Sequence, residues 1–341
     1  MKLCVDLMGS ETTPSCLIEA ITCLLPILED TDQVFLLATN EVIAELKPQF
    51  QANPSLEWLV ADQFIAMSEL PLQAIRQKPQ SSTALGISLL KEQKADVFVS
   101  MGNTGALIAQ SVIDLRCFSK IHRPALIATI PSKSGPVVVL DVGAQAVAKP
   151  EHYQQFAVLG AIYYQLRYAK DSSDISVGLL NMGTEEEKGT KEVVEAYEAL
   201  ADLFLEQPLK NVQFKGNVEG TQVFEGEVQV LVTNGFTGNV FLKTAEGVGS
   251  FLSKRLKKLI NEEQDTCSER FLQKIKNMTK ALDQAEYPGA ILCGVNGMVM
   301  KCHGSSDSKA LYSGLKEAVF LAKTNLHAKI QEAVEEFYRS K

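Results

Sequence analysis

Short apolar runs rich in β-branched residues alternate with longer stretches whose apolar positions recur every three or four residues. The short runs lie at 2–8, 33–39, 56–61, 95–101, 125–130, 137–142, 175–181, 212–217 and 228–234, and they predict strands. Helical spacing covers 14–28, 66–78, 82–93, 103–116, 150–169 and 189–206. A long helix begins near 237, and a last one covers 306–338. Between these two, AILCGVNGMVMKCH (290–303) reads as two short strands turning at Asn296-Gly297. The alternation predicts an α/β fold built on a doubly wound, mainly parallel sheet. No linker and no repeat divides the chain, so residues 1–341 are expected to form a single α/β/α unit.

The polar positions add a second pattern. MGSE (8–11), SMGNTGA (100–106), LDVGAQ (140–145), LNMGTEEEKG (180–189), KGNVEG (215–220), TNGFTGN (233–239) and KCHGSSD (301–307) each place glycine beside Asn, Ser, Thr or an acid just past a strand. Open α/β sheets bind ligands outside the carboxyl ends of their strands. Glycine lets backbone N–H groups come close to a ligand, and a helix start favours an anion. One such loop means little, but seven in one chain point to a site. None has the spacing of a phosphate-binding P-loop or of a dinucleotide fingerprint, so the nucleotide-binding readings lose ground.

Composition narrows the class. With 341 residues, 46% of them hydrophobic, the chain can bury a large core, and it has no low-complexity tract. A net charge of −8 argues against a general nucleic-acid binder. The seven cysteines (4, 16, 23, 117, 267, 293, 302) form no CxxC pair and no Cys/His zinc spacing, so they read as reduced core residues of a cytoplasmic protein. No metal site is expected. No apolar run approaches the ~20 residues of a membrane span. Asp6 comes too early for the apolar region of a signal peptide. A soluble protein is expected, with peripheral membrane contact left open.

Candidate chemistry gathers at the glycine loops. Lys149, Lys188, Lys243 and Lys301 each lie in or beside one, a set of positive charges that suits phosphate in an acidic chain. Asp141 ends a buried strand. His303 stands between Lys301 and Gly304-Ser305-Ser306. His152 follows Pro150 at a helix start, where capping and a site role compete. His122 lies in a polar loop, and His327 reads as a solvated residue of the last helix. Glu185, Glu186 and Glu187 suit the negative first turn of a helix better than a metal. Residues 251–280 hold eight Lys/Arg and four Asp/Glu, a net +4, with Phe251, Leu252, Leu256, Leu259 and Ile260 at helical spacing. This suits an ordinary amphipathic helix, an anionic lipid surface or a dock for an acidic protein.

The ordered segments SMGNTGALIA, RPALIATIPS, LDVGAQAVAKPEHYQQFAVLG, VGLLNMGTEEEKG, KGNVEG, GFTGNVFLKTAEGV and GVNGMVMKCHGSSDSKA resemble the PlsX family of phosphate acyltransferases over nearly the whole chain. The resemblance implies a fold of the isocitrate/isopropylmalate dehydrogenase and phosphotransacetylase type. It implies transfer of an acyl group from acyl-acyl-carrier-protein to inorganic phosphate, giving acyl-phosphate for glycerol-3-phosphate acylation in phospholipid synthesis. It also implies a homodimer, with peripheral membrane association in some members. Residues 236–285 are then a candidate dimer, membrane or carrier-protein contact, and a downstream glycerol-3-phosphate acyltransferase is a candidate partner. One activated acyl group is exchanged for another, so no cofactor is expected.

On this reading His303, Lys301, Asp141 and Lys188 are the expected catalytic groups. Asn103, Thr104, Gly105, Lys149, His152, Asn217, Asn239, Lys243, Gly304, Ser305 and Ser306 are expected around phosphate or pantetheine. Cys302 neighbours His303, but adjacent strand residues point to opposite faces, so it is not expected to act as a nucleophile. Four places depart from the family pattern. Ser10-Glu11 replaces Gly-Asp, Gln145 stands for Asn, and Thr184 and Asn234 stand where acids are usual. Asn234 cannot act as a base, and phosphate, already anionic at neutral pH, needs little help from one. The competing readings are a metal-dependent decarboxylating dehydrogenase, a coenzyme A-dependent phosphotransacetylase and a non-catalytic membrane-surface scaffold.

Overall fold

The structure, a computed structural model, describes residues 1–50, 53–169, 174–262, 289–304 and 307–339. Ser305, Ser306 and the 263–280 part of the basic amphipathic stretch lie outside the described residues. The described strands are β1 (Lys2–Asp6), β2 (Gln33–Ala38), β3 (Leu56–Val60), β4 (Val97–Ser100), β5 (Ala125–Ser132), β6 (Gly135–Leu140), β7 (Ile175–Leu180), β8 (Val212–Val218), β9 (Val230–Val232), β10 (Ala290–Cys293) and β11 (Met298–Lys301). The described helices are α1 (Pro14–Leu24), α2 (Asn40–Leu46), α3 (Pro71–Gln77), α4 (Ser82–Lys91), α5 (Thr104–Asp114), α6 (Pro150–Arg167), α7 (Lys191–Glu206), α8 (Gly220–Glu225), α9 (Gly235–Glu262), α10 (Ser308–Lys323) and α11 (Leu326–Arg339).

The strands form one sheet in the order β3-β2-β1-β4-β11-β10-β5-β6-β9-β7-β8. Neighbours are parallel from β3 to β11 and again from β6 to β8, but β10 and β5 are each antiparallel to both their neighbours. The two parallel halves therefore run in opposite directions. The glycine loops do not share one sheet edge, as a simple doubly wound sheet would require.

The register brings them back together. One continuous row of paired residues crosses the sheet: Trp58, Leu36, Val5, Val99, Met300, Ile291, Ile127, Leu140, Val232, Leu179 and Asn217. In each parallel strand this row lies at or within two residues of the carboxyl end. Asp6, Ser100 and Lys301 stand one step past the row on one side, and Asp141 one step past it on the other. The halves are thus staggered, and their carboxyl ends flank the antiparallel pair β10/β5. From β11 to β6 is three strand spacings, about 14 Å.

Helices cover both faces. Leu3, Val5, Val99, Met300 and Val177 face a core with α1, α6, α7, α10 and α11. Cys4, Phe98, Val139, Leu231 and Val299 face a second core with α4, α5 and α8, joined by Leu242 of α9. Such strict alternation, with nearly every strand residue apolar, is what a sheet covered on both faces requires.

Several helices differ from expectation. The 66–78 helix begins only at Pro71, which fits the first turn where no N–H is needed. The last helix is two, broken at Asn325, which takes the left-handed conformation (φ 52°) that Asn tolerates better than most residues. His327 is not solvated. Its ring packs edge-on against Phe118 at 5.4 Å, and its Nε2 lies 2.8 Å from the Val295 carbonyl, which ties α11 to the turn of the β10/β11 hairpin.

Candidate active site

At the carboxyl ends of β1, β4 and β11, three buried polar residues meet: Asp6, Ser100 and Lys301. Asp6 accepts from the Met8 N–H at 3.0 Å and from the Ser100 hydroxyl at 3.0 Å, and the Ser82 hydroxyl also bonds it. Ser100 Oγ in turn accepts from the Gly102 N–H at 3.1 Å. Burial pushes the Asp6 carboxyl up to about 6, against these donors and the Lys301 charge. Lys301 Nζ donates to the carbonyls of Met101 (3.3 Å) and Cys302. Burial pulls its ammonium down to about 8, with Lys243 adding to the drop and Asp6 and Glu11 opposing it.

His303 follows on the exposed side of this cluster. Partial burial, then the positive charges of Lys243 and Lys301, hold its imidazole below the usual range, while Glu246 and Glu11 oppose them. Burial and these cations both favour the neutral imidazole. The adjacent Gly304 carbonyl accepts from the N–H groups of Glu11 (3.0 Å) and Thr12 (3.1 Å), which pins the loop after β1 to the loop after β11. Ser10 bonds the Thr12 carbonyl at 2.5 Å and needs no left-handed backbone, so the missing glycine at this position causes no strain. Gly9 does need one (φ 72°), and a Cβ there would sit 2.5 Å from the Ile65 carbonyl. Cys302 is buried, and burial pushes its thiol up to about 11, unsuited to nucleophilic attack.

Asn103, expected at phosphate, is committed elsewhere. Its Oδ1 caps α5 at Ala106 N (3.0 Å), and its amide donates to the carbonyls of Ala66, Met67 and Glu69 at 3.0–3.3 Å. It holds the 66–69 loop against the site. Gly105 serves packing rather than ligand approach, since a Cβ there would meet Pro71 Cγ at 2.5 Å. Thr104 opens α5 beside them, half-buried.

The second half-sheet carries its own buried aspartate. Asp141 accepts from the N–H groups of Leu126, Gly143, Ala144 and Gln145 at 2.6–3.0 Å. A Cβ on Gly235 would lie 2.7 Å from its Oδ2, so the positive start of α9 also faces this carboxylate. Burial nonetheless pushes it up to about 6. With these donors Asp141 organises the 141–145 loop around its own carboxylate. Asn234 caps α9 through Thr237 N (2.8 Å), and its amide donates to the Tyr153 hydroxyl at 3.3 Å. A cap needs only an acceptor oxygen, so Asn serves as well as the acid usual here.

His152 is used in the same way. Its Nδ1 accepts the Lys149 N–H at 3.1 Å in the first turn of α6, and burial lowers its basicity. Lys149 is exposed beside it. Asn239, exposed on α9, faces Gly143, where a Cβ would lie 3.9 Å from its side chain. One turn later Lys243, paired with Glu246 at 2.7 Å, reaches the field of Lys301 and His303. The start of α9 therefore links the two half-sites.

Lys188 and Asn217 are not brought to this centre. Asn217 Nδ2 binds the Glu185 carbonyl at 2.7 Å, and exposed Lys188 lies 3.9 Å from Glu185. They sit at the ends of β7 and β8. β7 is five strand spacings from β11, about 24 Å. A cavity of about 630 Å³ lined by Asp32, Asp96, Met298, Lys323 and His327 opens at the amino ends of β1, β4 and β11, away from this chemistry. Asp6 and Ser100 were missed in the sequence, although an acid ending a buried strand was the signal used for Asp141.

Comparison with known proteins places the fold and the family. In fold, the chain is similar to the EutD phosphotransacetylase from Staphylococcus aureus (TM-score 0.60, 15% identity, 94% of each chain covered). It is equally similar to a phosphotransacetylase from Streptococcus pyogenes (TM-score 0.60, 15% identity, covering 98% of this chain and 94% of the other). In sequence it is 35% identical to a phosphate acyltransferase of Chlamydia caviae over 97% of this chain and 98% of that protein. The figure is also 35% for one of Fusobacterium nucleatum, over 98% and 99% respectively. The family model described as "Fatty acid synthesis protein" matches residues 1–329. With a site at the carboxyl ends of opposed half-sheets and these matches along almost its whole length, the chain belongs to the PlsX family of phosphate acyltransferases.

Proposed function

We propose that the chain transfers a fatty acyl group from acyl-acyl-carrier-protein to inorganic phosphate, and that the acyl-phosphate formed feeds phosphatidic acid synthesis. The observation that carries this reading is the buried Lys301 with Asp6 at the strand ends, followed directly by the exposed His303 in a loop that Lys243 also reaches. The cations draw the phosphate dianion to the loop, where the Gly304 segment approaches it closely. A phosphate oxygen attacks the thioester carbonyl, the tetrahedral oxyanion collapses, and the pantetheine sulfur leaves. Monohydrogen phosphate brings one proton, and the departing thiolate needs one. A neutral imidazole at His303 relays that proton, so a separate general base is unnecessary. Fixed donors on the oxyanion are each worth on the order of 3 kcal/mol. Lys301 supplies field from below, and Asn103 and Asp141 hold the loops in place.

The remaining parts of the reading concern assembly. Phe236, Val240, Val248, Phe251 and Leu252 are exposed along α9, with Lys254, Arg255 and Lys258 among them. This face supports a homodimer contact, or a peripheral membrane contact near a glycerol-3-phosphate acyltransferase. No described helix is long and apolar enough to cross a membrane. A second reading, acyl-coenzyme A as donor, draws support from the phosphotransacetylase-like fold. The test is hydroxylamine-trapped acyl-phosphate from palmitoyl-acyl-carrier-protein and phosphate, with acetyl-coenzyme A in parallel and His303→Ala alongside. Removing the relay is expected to cost about 10²–10⁴-fold in kcat with the fold intact. Full activity of that variant moves the chemistry away from the 301–304 loop, and preference for acetyl-coenzyme A establishes the second reading.

A further inference from the structure

No Asp or Glu occurs between Asp114 and Asp141, the longest acid-free stretch of an otherwise acidic chain. Lys120, His122 and Arg123 lie in it, in the loop before β5, and all three are exposed. The loop is built to hold them outward. Phe118 and Ile121 are buried as anchors. Gln155 of α6, itself buried, donates to the Lys120 carbonyl at 3.2 Å and accepts the His122 N–H at 2.9 Å. Lys120 takes the left-handed conformation (φ 72°) that this grip imposes.

A third cation comes from the neighbouring loop. Lys149, at the start of α6, and Arg123 both lie close enough to His152 for their charges to act on it, as does His122. Neither Lys120, Arg123 nor Lys149 forms an ion pair among the described residues, whereas Lys78, Lys94, Lys133, Lys188, Lys243 and Lys323 each do. One carboxylate, Glu151, stands among them, 4.0 Å from His122 and 3.7 Å from His152. Among the described residues named here, Lys120, Arg123 and Lys149 stand against the single carboxylate of Glu151. Lys120, His122, Glu151 and Gln154 also line a cavity of about 320 Å³ floored by Leu203 and Tyr338. The patch adjoins the second half-site: the 141–149 loop joins Asp141 to Lys149, and Asp141 accepts from the Leu126 N–H, just after the cationic loop.

We infer that Lys120, Arg123 and Lys149 form the docking surface for an acidic protein that delivers the acyl thioester. The inference rests on the function proposed above and assigns the partner's side of that same site. Exposed cations without an ion pair among the described residues, next to the second half-site, steer and orient a negatively charged partner. They make no contact with the reacting atoms, so they matter for the protein-borne donor and not for a small one.

The test compares Lys120→Glu/Arg123→Glu with the wild type, using palmitoyl-acyl-carrier-protein and palmitoyl-pantetheine as donors and thermal melting to check the fold. KM for the carrier-borne donor is expected to rise about tenfold or more, with kcat and palmitoyl-pantetheine turnover within about twofold. The wild-type KM rises with salt, and that of the variant does so far less. Lys133→Glu, at a paired lysine on the far hairpin, leaves both donors unaffected. An unchanged carrier KM, or an equal loss with both donors, overturns the inference. Carrier binding is also read directly by fluorescence anisotropy. If neither donor yields acyl-phosphate with the wild type, the proposed reaction fails. Docking then stands or falls on whether the variant loses carrier binding. Loss of binding to anionic vesicles or single-stranded nucleic acid, with carrier binding intact, assigns the patch to those partners instead and overturns it.

Discussion

Lys301→Met isolates the cost of holding a charge under the site. Burial lowers the ammonium from 10.5 to about 8. At about 1.36 kcal/mol per unit, the protonated lysine costs the folded state about 3 kcal/mol relative to a solvated one. A lysine whose folded pKa is depressed carries that cost in full below about pH 8. The cost disappears as pH rises from 8 towards 10.5, because the folded state sheds its proton first. Methionine keeps the volume and removes the charge. The variant is therefore expected to be about 2–3 kcal/mol more stable than wild type at pH 7.5, and that advantage should shrink by about 2 kcal/mol by pH 9.5. Urea unfolding of both proteins at the two pH values gives the comparison directly; groups remote from Lys301 cancel in the difference, and Asp6 and His303, which feel its charge, titrate mainly below this pH window. Acyl-phosphate formation should be lost in the same variant, the usual trade between stability and a strained site. The argument fails if Lys301→Met is less stable at pH 7.5, or if its advantage does not change with pH. Either result would mean that Asp6 and the two carbonyls hold the ammonium as well as water does.

Other residues give smaller effects of defined sign. Asn103→Ala removes the α5 cap and the clamp on three carbonyls. It should cost about 2–3 kcal/mol and open the 62–70 segment to proteolysis, measured by urea unfolding and limited digestion. Asp141→Asn leaves at least one of four backbone donors, the Gln145 N–H, facing an amide NH2 in place of an acceptor. A loss of about 3 kcal/mol is expected with the KM for phosphate unchanged, and a phosphate KM that rises in a stable variant would return Asp141 to the chemistry. Asn234→Asp keeps the α9 cap, so unfolding free energy should move by less than about 0.5 kcal/mol and the rate of acyl-phosphate formation should not rise. A large gain in rate would show that an acid at this position transfers a proton.

Much of the fold was legible because burial on both faces forces near-continuous apolar strands, and these stood out between amphipathic helices. The opposed direction of the half-sheets was less visible. Its signal was the short link between the 125–130 and 137–142 runs, too short for a parallel crossover. For the site, glycine loops marked the right places but not the jobs. At Asp141, Asn103, Gly105 and His152 the loops use these residues as acceptors, caps and close packing. A sequence does not tell a donor spent on its own backbone from one kept for a ligand. Asp6 passed unnoticed because its partners, Ser100 and Lys301, are remote in sequence and meet only through strand pairing.

That pairing also sets the order in which the molecule can be completed during synthesis. β10 and β11 wedge between β4 and β5, so the two half-sheets share no bonded edge until residues 290–301 have left the ribosome. Before then β4 and β5 are open edges, each able to pair with another nascent chain. The C-terminal hairpin is thus a keystone, and a chain arrested before it exposes two sticky half-proteins with neither Lys301 nor His303.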